Sequence, residues 1–355
     1  MCLQARLSMS RFFIALERNL INWVSARALR LEHMNLSLER PFIERVDPEL
    51  RQSMERLAKL QIQPQNDSQQ SFLESVRHNI ALNPGVGGVP RAVEIKNLEL
   101  RPDLKARLYR PNLDSSRSAV PVLIYAHGGG FASGNLESHD VFLRALCQDS
   151  SVAILALDYR LAPEYPFPAA LEDLNYALSW LEGHGPEFDL DPARASVGGD
   201  SAGAGLAAVA ALEWNCASGN APLRAQLLIQ PNTDLTLEQN SWHQNRPFGP
   251  TPHEMKEYLR LYLPLKHDEK DPQVSVLFSA DLSCAPFTVL ITGGCDPLED
   301  DGLALKWQLE AEGVALEHLH FEGATHGFYF HLGAVELSRR GVLEMAGALN
   351  RVLSL

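Results

Sequence analysis

Residues Ser196-Val197-Gly198-Gly199-Asp200-Ser201-Ala202-Gly203 read as a strand that turns abruptly into a helix. Gly199 and Gly203 flank Ser201 two positions before and two after, giving G-x-S-x-G. A nucleophile on so tight a turn sits in a strained backbone conformation, and side chains two positions away would collide. The run that follows, Ala204-Gly205-Leu206-Ala207-Ala208, is made mainly of small residues. They let the helix pack close to a sheet with its N-terminal N–H groups aimed at the serine. That positive helix end favours the negative charge developed in acyl transfer. Glycine-rich turns with serine are common, so the five residues do not decide alone; the strand before and the helix after them do.

On either side of this turn the chain alternates between two textures. Strand-like runs fall at 94–100, 105–110, 120–127, 151–158, 194–198, 224–230, 287–293 and 316–322. Helical stretches separate most of the later ones, at 138–149, 168–183, 202–217, 299–312 and 334–353. Val122-Leu123-Ile124-Tyr125, Val152 to Leu157, Leu227-Leu228-Ile229 and Val289-Leu290-Ile291 are continuously apolar or nearly so, as suits parallel strands buried on both faces. The pattern predicts an α/β fold with a mostly parallel central sheet flanked by helices. In such sheets sites gather beyond the carboxyl ends of the strands.

Before the first strand the periodicity is helical. Residues 10–32 are amphipathic, 47–61 open with Asp47 as N-cap and Pro48 in the first helical position, and 69–82 end before Asn83-Pro84-Gly85. Leu50, Met54, Leu57 and Leu60 form the apolar stripe of the second stretch. The division expected is a helical cap or extension over 1–90 and a catalytic domain over 91–355. The polar stretch 235–285, with one helical piece near 252–263, is a long insertion that adds to the cap.

The chain has 355 residues, 45% hydrophobic, with a net charge of −13. The acidic balance argues against nucleic acid and against stable anchoring on anionic membranes, both of which need basic patches. No apolar run approaches bilayer length, and Phe12 to Leu16 is shorter than a secretory core. The five cysteines, Cys2, Cys147, Cys216, Cys284 and Cys295, are scattered without a CxxC pair. That spacing argues against a disulfide scaffold or zinc knuckle and for a reducing, cytoplasmic setting. A homodimer is left open.

His127-Gly128-Gly129-Gly130-Phe131 follows a buried strand. Three successive glycines suit a place where backbone N–H groups approach a ligand without Cβ atoms in the way. With the N–H of Ala202, two of these amides can form an oxyanion hole. A phosphate cradle fits less well, since no G-x-x-x-x-G-K-S/T and no nearby lysine is present. Among twelve histidines, His326 stands out in Gly323-Ala324-Thr325-His326-Gly327-Phe328, just past the last strand. Asp296 stands likewise at the end of the strand Val289 to Cys295, whereas Glu299, Asp300 and Asp301 suit the opening of the next helix. The order Ser201, Asp296, His326 is that of α/β-hydrolases, not of chymotrypsin or subtilisin.

Five ordered motifs resemble the bacterial hormone-sensitive-lipase family of α/β-hydrolase esterases, over roughly residues 100–350. They are His127 to Phe131; Tyr159-Arg160-Leu161-Ala162-Pro163-Glu164 with Phe167-Pro168-Ala169-Ala170; Gly199 to Gly203; Asp296-Pro297-Leu298; and His326-Gly327-Phe328. Gly134 to Asp140 resembles the acetyl-esterase-like branch. The resemblance implies the α/β-hydrolase fold with an N-terminal helical cap and hydrolysis of short-acyl esters of small molecules without a cofactor or metal. It implies Ser201, Asp296 and His326 as triad, and Gly129, Gly130 and Ala202 as oxyanion donors. It also implies Asp158, Arg160 and Glu164 as a polar network near the site. The alternatives are an amidase or deacetylase on N-acyl substrates and a non-catalytic ligand-binding protein on the same fold.

Overall fold

The structure is a computed structural model that describes residues 44–112, 119–217, 219–244 and 248–354. The helix expected over 10–32 lies outside the described residues. One sheet has the strand order β1-β2-β4-β3-β5-β6-β7-β8. Its strands are β1 (Glu94–Arg101), β2 (Leu104–Arg110), β3 (Val120–Ala126), β4 (Ala153–Asp158), β5 (Leu190–Asp200), β6 (Ala225–Ile229), β7 (Phe287–Cys295) and β8 (Leu316–Thr325). Each strand-like run in the sequence becomes one of them. β2 pairs antiparallel with β1 and with β4, and every pair from β4 to β8 is parallel. The four continuously apolar runs are β3, β4, β6 and β7. Apart from half-buried Asp158 and Phe287, every residue of these strands is buried, as two helical layers require.

The main helices are α1 (Pro48–Ala58), α2 (Gln69–Ile80), α3 (Leu136–Ser150), α4 (Ala169–His184), α5 (Ala202–Cys216), α6 (Pro252–Tyr262), α7 (Glu299–Ala311) and α8 (Glu336–Leu353). α8 packs on α3, and α4 on α5. α5 is buried at every position from Ala202 to Ala211, which only small side chains allow so close to the strands. α1 begins as expected: Asp47 accepts from the N–H groups of Glu49 and Leu50, ahead of Pro48. Its stripe stops short. The helix ends at Ala58, and Leu60 lies beyond it, 62% exposed.

One pair of cysteines departs from the reading of their spacing. Cys216, which ends α5, and Cys284, ahead of β7, form a disulfide with Cα atoms 5.4 Å apart and a sequence separation of 68. α5 runs back along the sheet to the edge where the parallel strands begin, so its last residue meets the chain entering β7. Spacing alone carries no sign of that meeting, and the bridge removes the cysteine argument for a reducing compartment. Cys147 and Cys295 are buried free thiols. Among the described residues no helix is long and apolar enough to cross a membrane.

Candidate active site

The three residues singled out at strand ends come together at one edge of the sheet. Ser201 follows β5, Asp296 follows β7 and His326 follows β8. The backbone of Ser201 is in the left-handed half of conformational space, with φ 53° and ψ −122°. Its N–H donates to the carbonyl of Ile229 at 2.9 Å, and its carbonyl accepts from Ala204, Gly205 and Asn232. The turn is therefore held on both sides. Gly203 is needed by close approach, since a Cβ there would stand 2.1 Å from the carbonyl oxygen of Ala126.

His326 Nε2 lies 3.0 Å from Ser201 Oγ. Its Nδ1 lies 3.0 and 3.1 Å from the two carboxylate oxygens of Asp296. A carboxylate only accepts, so Nδ1 carries the proton and Nε2 is free to accept from the serine hydroxyl. Asp296 is fully buried, and its Oδ1 also accepts from the N–H of Leu298 at 2.9 Å. Burial pushes the His326 pKa down, but the charge and hydrogen bond of Asp296 outweigh it and leave it raised.

The glycine run forms the loop after β3, with φ 124° at Gly129 and 62° at Gly130. Among the described residues the N–H groups of Gly129 and Gly130 meet no protein acceptor. Ala202 opens α5, where the first N–H groups of a helix lack intrahelical partners. Three amides, those of Gly129, Gly130 and Ala202, are thus without a protein acceptor among the described residues. The other histidines are engaged differently. His318 and His320 both bond Thr292 Oγ1, at 2.7 and 2.8 Å. His127 stacks on Tyr159 and bonds the carbonyl of Gly128, and burial pushes its pKa down to about 4.

A family model described as the alpha/beta hydrolase fold matches residues 123–330. The chain belongs to this family. It is 37% identical to carboxylic ester hydrolase LipN of Mycobacterium tuberculosis over 261 residues, covering 71% of this chain and 68% of that protein. It is 33% identical to an ethyl acetate hydrolase of Pseudomonas putida, covering 70% of this chain and 79% of that protein. The hyperthermophilic esterase of the archaeon Pyrobaculum calidifontis superposes with a TM-score of 0.76 at 31% identity, covering 86% of this chain and 98% of that one. The resemblance to the hormone-sensitive-lipase family holds, and this α/β-hydrolase is a carboxylic ester hydrolase.

Several contacts around the hydrolase's site are not announced by its motifs. Asp200, fully enclosed beside Ser201, accepts from Tyr125 at 2.6 Å, Tyr329 at 2.7 Å and the N–H of Gly128 at 2.9 Å. His139 Nε2 faces it at 3.2 Å. Burial raises the Asp200 pKa, but His139 and the two phenols outweigh it and hold the group well below the ordinary carboxylate range. A buried anion thereby ties the elbow to the start of the glycine loop. The expected Asp158, Arg160 and Glu164 network divides instead. Arg160 pairs with Asp173 and Glu172, and Asp158 lies opposite Lys105 in the sheet. Glu164 pairs with Arg77 of α2 at 2.8 and 2.7 Å. The insertion meets the site directly. α6 stacks Tyr262 on Phe131 at 3.9 Å and sets Tyr258 against both Gly130 and Phe72 of α2.

Proposed function

We propose that this carboxylic ester hydrolase cleaves short-acyl esters of small molecules through an acyl-enzyme on Ser201. His326 takes the serine proton as Oγ attacks the ester carbonyl. Asp296 holds the imidazole tautomer and stabilises the imidazolium. The N–H groups of Gly129, Gly130 and Ala202 receive the oxyanion of the tetrahedral intermediate, where each donor contributes roughly 10²- to 10³-fold. His326 then protonates the departing alcohol. Water attacks the acyl-enzyme with His326 again as base, and the carboxylic acid leaves.

The observation that carries this reading is the unbroken row Ser201 Oγ, His326, Asp296, each step a hydrogen bond of 3.0 Å, with the serine on a strained turn. Short acyl chains are supported by the aromatic side chains packed over the glycine loop, Phe131, Tyr258 and Tyr262. The likeness to an ethyl acetate hydrolase points the same way. The test is kcat/KM for p-nitrophenyl esters from C2 to C16 beside matched anilides. A maximum between acetyl and about hexanoyl, with anilides far slower, is expected. Preference for the anilides would make the protein an amidase, and a maximum at C12 or longer would make it a lipase.

A further inference from the structure

We propose that Gln230 is a positioning residue for His326, setting the imidazole by gripping the peptide units on both sides of it. The inference rests on the reading of His326 as the base. Gln230 Nε2 donates to the carbonyl of Thr325 at 3.0 Å. Its Oε1 accepts from the N–H of Gly327 at 2.8 Å. The two bonds straddle residue 326 as one rung of a β ladder would, with a side-chain amide standing in for a peptide.

The sheet explains why a substitute is needed. β7 and β8 are in register up to Gly293 opposite Phe321, but the next pair is Cys295 opposite Thr325. Four steps along β8 answer two along β7, so the ladder no longer dictates where the chain goes next. The base follows one residue after that irregularity. Its imidazole must meet Asp296 and Ser201 together, each at 3.0 Å, and a displacement of about 1 Å from such an arrangement can cost 10²-fold in rate.

Gln230 is itself held in place. It follows β6, is fully buried, has φ 47°, and donates its own N–H to the carbonyl of Ile291 at 2.9 Å. Its amide fits only because residue 293 lacks a side chain: a Cβ on Gly293 would come within 2.8 Å of Nε2. The carbonyl of Gly293 in turn accepts from the N–H of Asp296 at 3.1 Å. One amide therefore sits between the turn that carries the acid and the turn that carries the base. An apolar side chain of the same size would leave the buried carbonyl of Thr325 and the part-buried N–H of Gly327 without these partners.

The test uses the full chain with Gln230→Met, which removes both bonds at similar volume, and Gln230→Glu, which keeps the acceptor for Gly327 and loses the donor to Thr325. Each is made in the wild-type and in the His326→Ala background, and kcat and KM are read on p-nitrophenyl butyrate. In the wild-type background Gln230→Met should lower kcat by about 10- to 100-fold with KM within about twofold, and Gln230→Glu should lower it less. In the His326→Ala background neither change should move the residual rate by more than about twofold, because the group being positioned is gone. Unchanged kcat in Gln230→Met, or the same fold-loss in both backgrounds, would overturn the proposal in favour of a packing role. Should Gln230→Met fail to fold, Gln230→Glu supplies the same pair of comparisons. Wild-type activity in His326→Ala alone would instead remove the base, and the proposal with it.

Discussion

The ring of Tyr258 occupies the space that a side chain on Gly130 would need: a Cβ there would stand 2.4 Å from Tyr258 Cδ1. The insertion helix α6 thus presses an aromatic ring on the loop that supplies two of the proposed oxyanion amides. Gly130→Ala should displace that amide, lowering kcat by roughly 10²-fold or more. Adding Tyr258→Ala should recover part of the loss. A double variant no better than the single one would show that the backbone angle of 62°, not the ring, sets the requirement.

Tyr258→Ala alone should change which acyl chains are accepted. Removing the phenol opens room beside Gly130, and each methylene then buried contributes about 0.8 kcal/mol. The kcat/KM maximum should move to longer acyl groups, while acetyl ester hydrolysis changes little in kcat. An unmoved chain-length profile would mean that Tyr258 does not limit the acyl group.

The pH dependence follows from His326. Burial opposes its protonation, but the Asp296 carboxylate outweighs burial, so the folded pKa lies above the ordinary 6.5. In the proposed mechanism the neutral imidazole is the working form, so kcat/KM should rise with pH through a single ionisation above 6.5. In Asp296→Asn that ionisation should move down and kcat should fall. The same pair stabilises the fold through the protonated histidine. That contribution is full below the unfolded pKa and is lost as pH rises through the folded one.

Cys216 is exposed on the surface and clips α5 to the end of the insertion. For a loop of 68 residues, chain entropy gives the bridge a stabilising contribution of about 4 kcal/mol as an upper value. Cys216→Ser and Cys284→Ser should therefore lower the unfolding midpoint similarly, and reductant should bring the wild type down to them without changing the variants. Equal midpoints with and without reductant would show that the bridge contributes nothing.

The strands were legible because parallel strands covered on both faces leave apolar runs, as in Val122 to Tyr125 and Val289 to Ile291. Ser201, Asp296 and His326 were legible for a related reason: each directly follows a strand, and such sheets collect function at that edge. What stayed hidden depends on contacts between distant segments. The partners of Asp200 come from β3, α3 and the turn after His326, and no spacing joins Tyr125, His139 and Tyr329. Gln230 left one sign, a polar residue closing the apolar run Leu227-Leu228-Ile229, which has no meaning until the loop at residue 326 is beside it. In sequence Glu164 stands beside Arg160, whereas its partner Arg77 lies on a helix before the sheet begins.

Covalent labelling decides whether Ser201 is the nucleophile. The protein is treated with a serine-directed phosphonate, and the labelled residue is located by peptide mass spectrometry in wild type and in Ser201→Ala. A single label per chain at Ser201, absent from Ser201→Ala together with several orders of magnitude of kcat, is the expected result. A label on another serine, with Ser201→Ala still active, would show that Ser201 is not the nucleophile.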